Sequence, residues 1–321
     1  MNIKNIYFLY ASVILVVLIV LFNRKPSLVN ADAKGSFVFD SIRHKSGVYI
    51  LKKGKVRFLT DKAGFPKWSP DGKRISCISY NKILFFDADK KREIDTIVIK
   101  DAQIFPLVWM NNGRYIIFPL RITKKDYYEY YLVKYDLSAK EYEKIFNFGK
   151  KTVKFDVKNL CISNDDRFLA FWAGSNNENA FLYYINLETK ERKTLWKNAY
   201  PVGWAPDTTT LIFSSENDRG GEVLNDALGS ILSIDIAENK VDFIEYVTYI
   251  DSKDLRLSKD GKNLYYSKKT KNNGYELAFS DLEQRSQETE ILITRSFYVD
   301  KYVGYSKDIS SDWYISENIE V

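Results

Sequence analysis

The sequence predicts an all-β protein, a β-propeller of about six blades, preceded by one N-terminal transmembrane helix. Three observations predict it. A tight-turn motif returns at intervals of 41 to 53 residues, the spacing of a four-stranded propeller blade. Aromatic residues make up 15% of the chain, with 23 Tyr and 20 Phe but only 2 Met, a balance that favours strands over helices. The third observation is an uncharged apolar run close to the N-terminus.

That run is Ile6 to Phe22, IYFLYASVILVVLIVLF, seventeen residues bracketed by Lys4 before and by Arg24 and Lys25 after. As a helix it rises about 25 Å, enough to cross a bilayer core with snorkelling flanks. A cleaved signal peptide is the alternative, because Ala31, Asp32 and Ala33 have the small-x-small form of a cleavage site. The apolar core is longer than a usual signal core and the site lies well beyond Phe22, so a retained anchor is expected. The expected organisation is a short tail at 1–5, a transmembrane helix or signal anchor at 6–22, a linker at 23–35 and the propeller at 36–321. Charges flank the helix on both sides, so the positive-inside rule does not fix its orientation.

The repeat fills the rest. Trp68 opens WSPDGKRI, Trp109 opens WMNNGRYI and Ile162 opens ISNDDRFL. Trp204 opens WAPDTTTL, Leu257 opens LSKDGKNL and Tyr305 opens the shorter YSKDI. In each copy a bulky residue ends a short strand and a polar turn follows, with Pro pre-setting one φ and Gly or Asn accepting a positive one. An alternating strand then begins, as in RISCISY after Lys73 or FLAFW after Arg167.

A second phrase marks each third strand: ILFFD ending at Asp87, YLVKYD at Asp136, FLYYIN at Asn186, ILSID at Asp235 and ELAFSD at Asp281. The closing acid or amide suits the turn into a fourth strand. Residues 36–60 read as later strands of a blade without an opening motif, whereas 302–315 supply an opening motif at the chain's end. Joining the two completes a ring. That makes six blades, or seven if Trp313 to Val321 stand apart.

This combination resembles the TolB-type propeller repeat, a WD-like blade whose signature is Trp-Ser-Pro-Asp-Gly-Lys followed by an apolar strand. Trp68 to Ile75 carry the best match, and the likeness extends over about residues 36–321. The resemblance implies a propeller exported to the cell envelope, so the domain is expected on the extracytoplasmic side of the membrane. TolB has a further N-terminal domain and a cleaved signal, which are not matched here, and only the blade family carries over.

Composition and motifs set several functions aside. The net charge is +6, of which the first 34 residues hold about half, too little for the clustered basic face of a nucleic-acid binder. His44 is the sole histidine and stands between Arg43 and Lys45 in a polar turn, which reads as a solvent-exposed loop residue. Nucleophile-elbow, phosphate-loop and dinucleotide fingerprints do not occur. Cys77 and Cys161 lie inside apolar strands and are expected to be small buried hydrophobes, without disulfide or zinc spacing. Asp87 with Asp89, Asp165 with Asp166, and Glu216 with Asp218 are the carboxylate pairs a glycosidic mechanism would use. The places of the first two in the repeat point to turn chemistry instead.

One face of the ring is expected to do the work. First-to-second hairpins are short and uniform, whereas second-to-third connections, on the other face, range from almost nothing at Asn81 to long excursions at 123–130, 174–179, 214–229 and 268–274. Insertions confined to one side of a repeat protein line its binding face. The candidate contacts are Lys124, Lys125, Tyr127, Tyr128 and Tyr130 in the first, with rings suited to protein or sugar. Glu216, Asp218, Arg219 and Glu222 lie in the third, with carboxylates and amides able to hold Ca²⁺. The expected role is a non-catalytic, membrane-tethered module that binds an envelope protein or polysaccharide, with no cofactor beyond that calcium and no nucleic acid. The rival readings are a carboxylate-based hydrolase or lyase at the mouth of the channel, and a structural or sensory ectodomain.

Overall fold

The computed structural model describes residues 36–41, 47–52, 55–175, 180–215, 229–247, 256–257, 261, 263–269, 275–281, 290–293 and 311–314. The expected transmembrane segment at 6–22 and His44 lie outside them. Every element among the described residues is a strand, and none is a helix long and apolar enough to cross a membrane.

The strands sort into six sheets among the described residues. Sheet I holds β1 (Ser36–Ser41), β2 (Gly47–Lys52) and β3 (Lys55–Thr60). Sheet II is β4 (Gly64–Trp68), β5 (Arg74–Ser79), β6 (Lys82–Asp87) and β7 (Glu93–Val98). Sheet III is β8 (Ala102–Ile104), β9 (Val108–Trp109), β10 (Tyr115–Thr123), β11 (Tyr128–Asp136) and β12 (Glu141–Lys151). Sheet IV is β13 (Asp156–Ile162), β14 (Phe168–Gly174), β15 (Ala180–Asn186) and β16 (Arg192–Lys197). Sheet V is β17 (Ala199–Trp204), β18 (Thr210–Ser215), β19 (Gly229–Asp235) and β20 (Lys240–Val247). Sheet VI is β21 (Arg256–Leu257), β22 (Asn263–Lys269), β23 (Tyr275–Asp281) and β24 (Glu290–Ile293). The chain then returns to sheet I, where β25 (Ser311–Tyr314) pairs antiparallel with β1, Trp313 opposite Phe37. The expected composite sheet is present, but the segment that enters it lies beyond the Tyr305 motif.

The described turn motifs opened by Trp68, Trp109, Ile162 and Trp204 share one backbone device, the amide of the fifth residue donated to the carbonyl of the second, and those of Trp68 and Ile162 add a serine hydroxyl. In the first, Gly72 at φ +65° donates its N–H to the Ser69 carbonyl at 2.9 Å. The Ser69 hydroxyl donates to Asp71 at 2.6 Å and accepts from the Arg74 amide at 2.9 Å. Ser163, Asp165 and Asp166, at φ +62°, repeat that pattern. Asp87, Asp136, Asn186 and Asp235 each accept two amides from the residues two and three ahead. The residue after each donates its amide back to the adjoining first-to-second hairpin, as Ala88 does to Lys73. Hairpins and third-to-fourth turns therefore knit one face of the molecule together.

Packing runs between sheets. Ile78, Ile83 and Phe85 of sheet II meet Ile104, Trp109, Ile116 and Phe118 of sheet III, while Leu84 and Phe86 turn to Val48 and Ile50 of sheet I. Ile117 and Leu132 of sheet III meet Leu169 and Phe171 of sheet IV, whose Ala170 and Leu182 meet Trp204 and Phe213 of sheet V. Alternate residues of one strand thus enter different cores. That is why these strands read as nearly continuous apolar runs. The recurring tryptophans reach into the preceding sheet: Trp109 Nε1 donates to Ser76 Oγ at 2.9 Å, and Trp204 Nε1 to the Cys161 carbonyl at 3.2 Å. Cys77 is buried, as the apolar pattern implied, whereas Cys161 is half-buried.

Sheet III departs from the repeat. Its first strand is broken in two, β9 pairing with Ile116 and Ile117 and β8 with Leu120 to Ile122. Pro119 lies between the two pairings and accepts the Phe105 amide at 3.0 Å. Amide and carbonyl of one strand residue point to the same side, so the donor Pro119 lacks would have faced this break, and the ladder to β11 stays complete.

The first strands of sheets V and VI approach so closely that a Cβ on Gly203 would stand 2.6 Å from Leu257 Cβ. Gly203→Ala should therefore cost about 1–3 kcal/mol through overpacking. Gly113→Ala meets open space and only the strain of φ +66°, about 1 kcal/mol. Urea unfolding of the two variants checks this, and equal losses would deny the approach of β17 to β21.

Candidate partner-binding face

The ends of the sheets define two faces. Short motif hairpins and third-to-fourth turns lie on one, second-to-third hairpins on the other. In sheet II the second connection is the two-residue turn of Tyr80 and Asn81, with Ser79 opposite Lys82. In sheet III the same connection projects further. The strands β10 and β11 have nine residues each and β12 eleven, against six in β5, β6 and β7.

The expected excursion at 123–130 is therefore a ribbon. Thr123 stands opposite Tyr128 in an unbroken ladder, and the turn closes through the Lys124 amide donated to the Tyr127 carbonyl at 2.9 Å. Lys124 and Lys125 are exposed at the turn, and Tyr127 and Tyr128 are half-buried beside it. Tyr130 is 1% exposed. Its ring packs edge-on to Tyr128 and Phe155, and its hydroxyl accepts the Phe155 amide at 3.2 Å. This corrects its assignment as a contact residue: it seats the ribbon on sheet IV.

β12 completes the ribbon, with Lys151 opposite Tyr128 and Lys150 opposite Glu129. A bulge at Gly149, φ +80° and capped by Asn147, carries the strand past Tyr130. Lys150 Nζ lies 4.7 Å from the centre of the Tyr127 ring, and Lys151 Nζ 4.9 Å from that of Phe155. From β10, the Arg121 guanidinium lies 5.0 Å from the Tyr128 ring and donates to Gln103. Sequence reading missed Lys150, Lys151 and Arg121 because they are distant from the turn in the chain. The signal that could have found them is the strand-like run of 141–151, too long for a fourth strand of this repeat.

Glu216, Asp218, Arg219 and Glu222 lie outside the described residues, and the calcium expectation with them. No group of His, Cys, Asp and Glu able to hold a metal occurs among the described residues.

The described carboxylate pairs serve the opposite face. Asp166 accepts the Asn111 amide at 2.7 Å and its side-chain amide at 2.9 Å, tying the hairpins of sheets III and IV. Asp165 is partly desolvated, which pulls its pKa up, but hydrogen bonds from Ser163 and Arg167 prevail and hold it at about 2. The Arg114 guanidinium, 2.6 Å from Asp136, holds that carboxyl well below the usual range. The pKa values of Asp71 and Asp207 are lowered too, since bonds from Ser69 and from Thr210 outweigh partial burial. All four are turn residues kept ionised by local donors, unlike a general acid, whose pKa is raised.

Chain entry is equally polarised. β1 stands second in sheet I, where Ser41 opposite Gly47 closes its second-to-third hairpin, and Ser36 pairs with Tyr314 at the far end. By position in the sheet, Ser36 and Tyr314 thus stand at the short-hairpin face, away from the ribbon.

No family model matches the chain, and no curated protein does either. Solved structures do match. TolB from Acinetobacter baumannii superposes with a TM-score of 0.63 at 13% identity, over 89% of this chain and 68% of that one. The fold is a TolB-like β-propeller. An oligogalacturonate lyase in complex with manganese superposes with a TM-score of 0.60 at 13% identity, over 82% of this chain and 74% of that one. A chain of a nidogen/laminin complex gives 0.54 at 13%, over 79% and 93%. At such identities the TolB-like propeller is a statement of fold alone.

The depressed pKa of Asp165 has a pH consequence. Its folded value lies below the unfolded one near 4, so its contribution to stability is complete above pH about 4 and disappears as pH falls through about 2. Asp165→Asn should remove that part of the acid sensitivity. Urea midpoints measured from pH 5 to pH 2 check this, and parallel wild-type and variant curves would contradict it.

Proposed function

We propose that the chain is a non-catalytic, six-bladed propeller closed through sheet I, tethered to the membrane by residues 6–22 and acting as a binding module at the cell envelope. The observation that carries this reading is the asymmetry of the two faces. The described copies of the short-hairpin face repeat one backbone hydrogen-bonding pattern and commit their turn carboxylates to it. The other face carries the ribbon of sheet III and the long connections. Because Ser36 enters at the short-hairpin face, a tether there turns the ribbon face away from the bilayer, toward a partner.

A propeller is a scaffold on which unrelated functions are built, and the solved neighbours include both TolB and a lyase. The binding reading is preferred over a carboxylate enzyme because the described carboxylates with shifted pKa values are committed to turns. The extracytoplasmic side is proposed from the blade resemblance.

Replacing the four residues 124–127 by a two-residue Asn-Gly turn suits a hairpin and should leave the fold intact. Chemical crosslinking of the full-length protein in its native membrane, followed by affinity capture, should then recover fewer partners from the variant than from the wild type. Identical partners from both would overturn the assignment of this face. Protease added to intact cells should cleave the propeller, and complete protection would contradict export.

A further inference from the structure

We infer that the tip of the sheet III ribbon is a docking site for an acidic polysaccharide, its carboxylates met by Lys124, Lys125, Lys150 and Lys151. This rests on the binding-module reading and names the ligand class of that site. The four lysines come from the turn between β10 and β11 and from the end of one further strand, β12, so only the folded ribbon assembles them. Among the described residues none of the four makes an ion pair. The carboxylates nearby are few and partly engaged: Glu129 accepts the Tyr131 hydroxyl at 3.0 Å, Asp156 pairs with Lys154 at 3.6 Å, and Asp126 stands in the turn. The tip is therefore cationic on a protein whose charge is otherwise nearly balanced.

The kind of cation narrows the partner. Protein–protein interfaces are depleted in lysine and centre on buried aromatic or arginine anchors. Here the charges at the tip are lysines, while Arg121 is held by Gln103 and Tyr128 and Tyr130 is buried. Lysine is a hydrated point charge on a flexible stem, suited to a chain of regularly spaced carboxylates that need no bidentate geometry. Tyr127 and Tyr128 flank the lysines on the two sides of the ribbon, half-buried, with edges available to the apolar faces of sugar rings. A bilayer is disfavoured as the ligand because the chain enters on the opposite face.

The test uses the full-length protein in neutral detergent over immobilised alginate, with dextran, polyglutamate, duplex DNA and phosphatidylglycerol vesicles as parallel surfaces. Alginate should bind best, with affinity falling steeply as salt rises. Lys124→Ala, Lys125→Ala, Lys150→Ala and Lys151→Ala combined should weaken binding on the order of tenfold or more, as four surface ion contacts allow. A charge-matched control removes four exposed lysines of the opposite face, Lys73, Lys90, Lys140 and Lys190, and should change binding less than about twofold. Equal losses in the two variants, no binding to alginate, or preference for polyglutamate, DNA or vesicles would each overturn the inference. If alginate fails while the turn variant still loses its crosslinked partners, the binding face stands and only its ligand class falls.

Discussion

A strongly apolar sheet with two buried faces cannot stand alone, and everything else in this protein follows from that constraint. Strands such as β6, with four consecutive buried residues from Ile83 to Phe86, need cover on both sides. A neighbouring sheet on each side provides it. The tryptophan at the end of the first strand fixes the spacing, since its indole lies in the interface and donates backward, as Trp109 does to Ser76. Each sheet is thereby the cover of the one before it. The free outer surfaces of the first and last sheets are the remaining liability, and pairing β25 with β1 addresses it by making one sheet from both chain ends.

The same constraint divides the two faces. Register between sheets must be kept where hairpin meets hairpin, and there the polar groups bond to one another: Asp166 to Asn111, Arg74 to the Gly113 carbonyl at 3.2 Å. Such groups are not available to a partner without loosening the scaffold. Among the described residues the second-to-third connections of sheets II and III show no comparable side-chain relay, which leaves them tolerant of length and charge. The ribbon of sheet III uses that freedom. It extends three strands together, stays rigid through the Tyr130, Phe155 and Phe148 rings, and presents lysines at its end.

Much of this was legible in the sequence because the repeat acts locally. The Ser-x-Asp hairpin and the acid that ends each third strand are defined by residues a few positions apart, so Asp71, Asp87, Asp136 and Asp165 could be assigned to turns before any contact was known. The tryptophan that ends the first strand recurs in the repeat, and in the fold it lies between neighbouring sheets. What depended on distant residues was not legible. The break in the first strand of sheet III follows from where the Pro119 carbonyl points. The ribbon follows from β12 outrunning its repeat, and Tyr130 changes role from contact to support because Phe155 comes to lie against it. At the closure, the joining of the chain ends was readable, whereas the segment that joins was not, since Ser311–Tyr314 carries no motif of its own.

The closure is the most direct point of test, because the ring and the polarity of its faces both rest on the pairing of β1 with β25. Val38 and Asp312 are opposite one another across that pair, a placement whose Cβ separation suits a disulfide. Val38→Cys with Asp312→Cys in the full-length protein should form an intramolecular disulfide on mild oxidation, seen as a reducible shift in gel mobility and a raised unfolding midpoint. Failure to form the bond, or formation only between molecules, would contradict a propeller closed by its two chain ends.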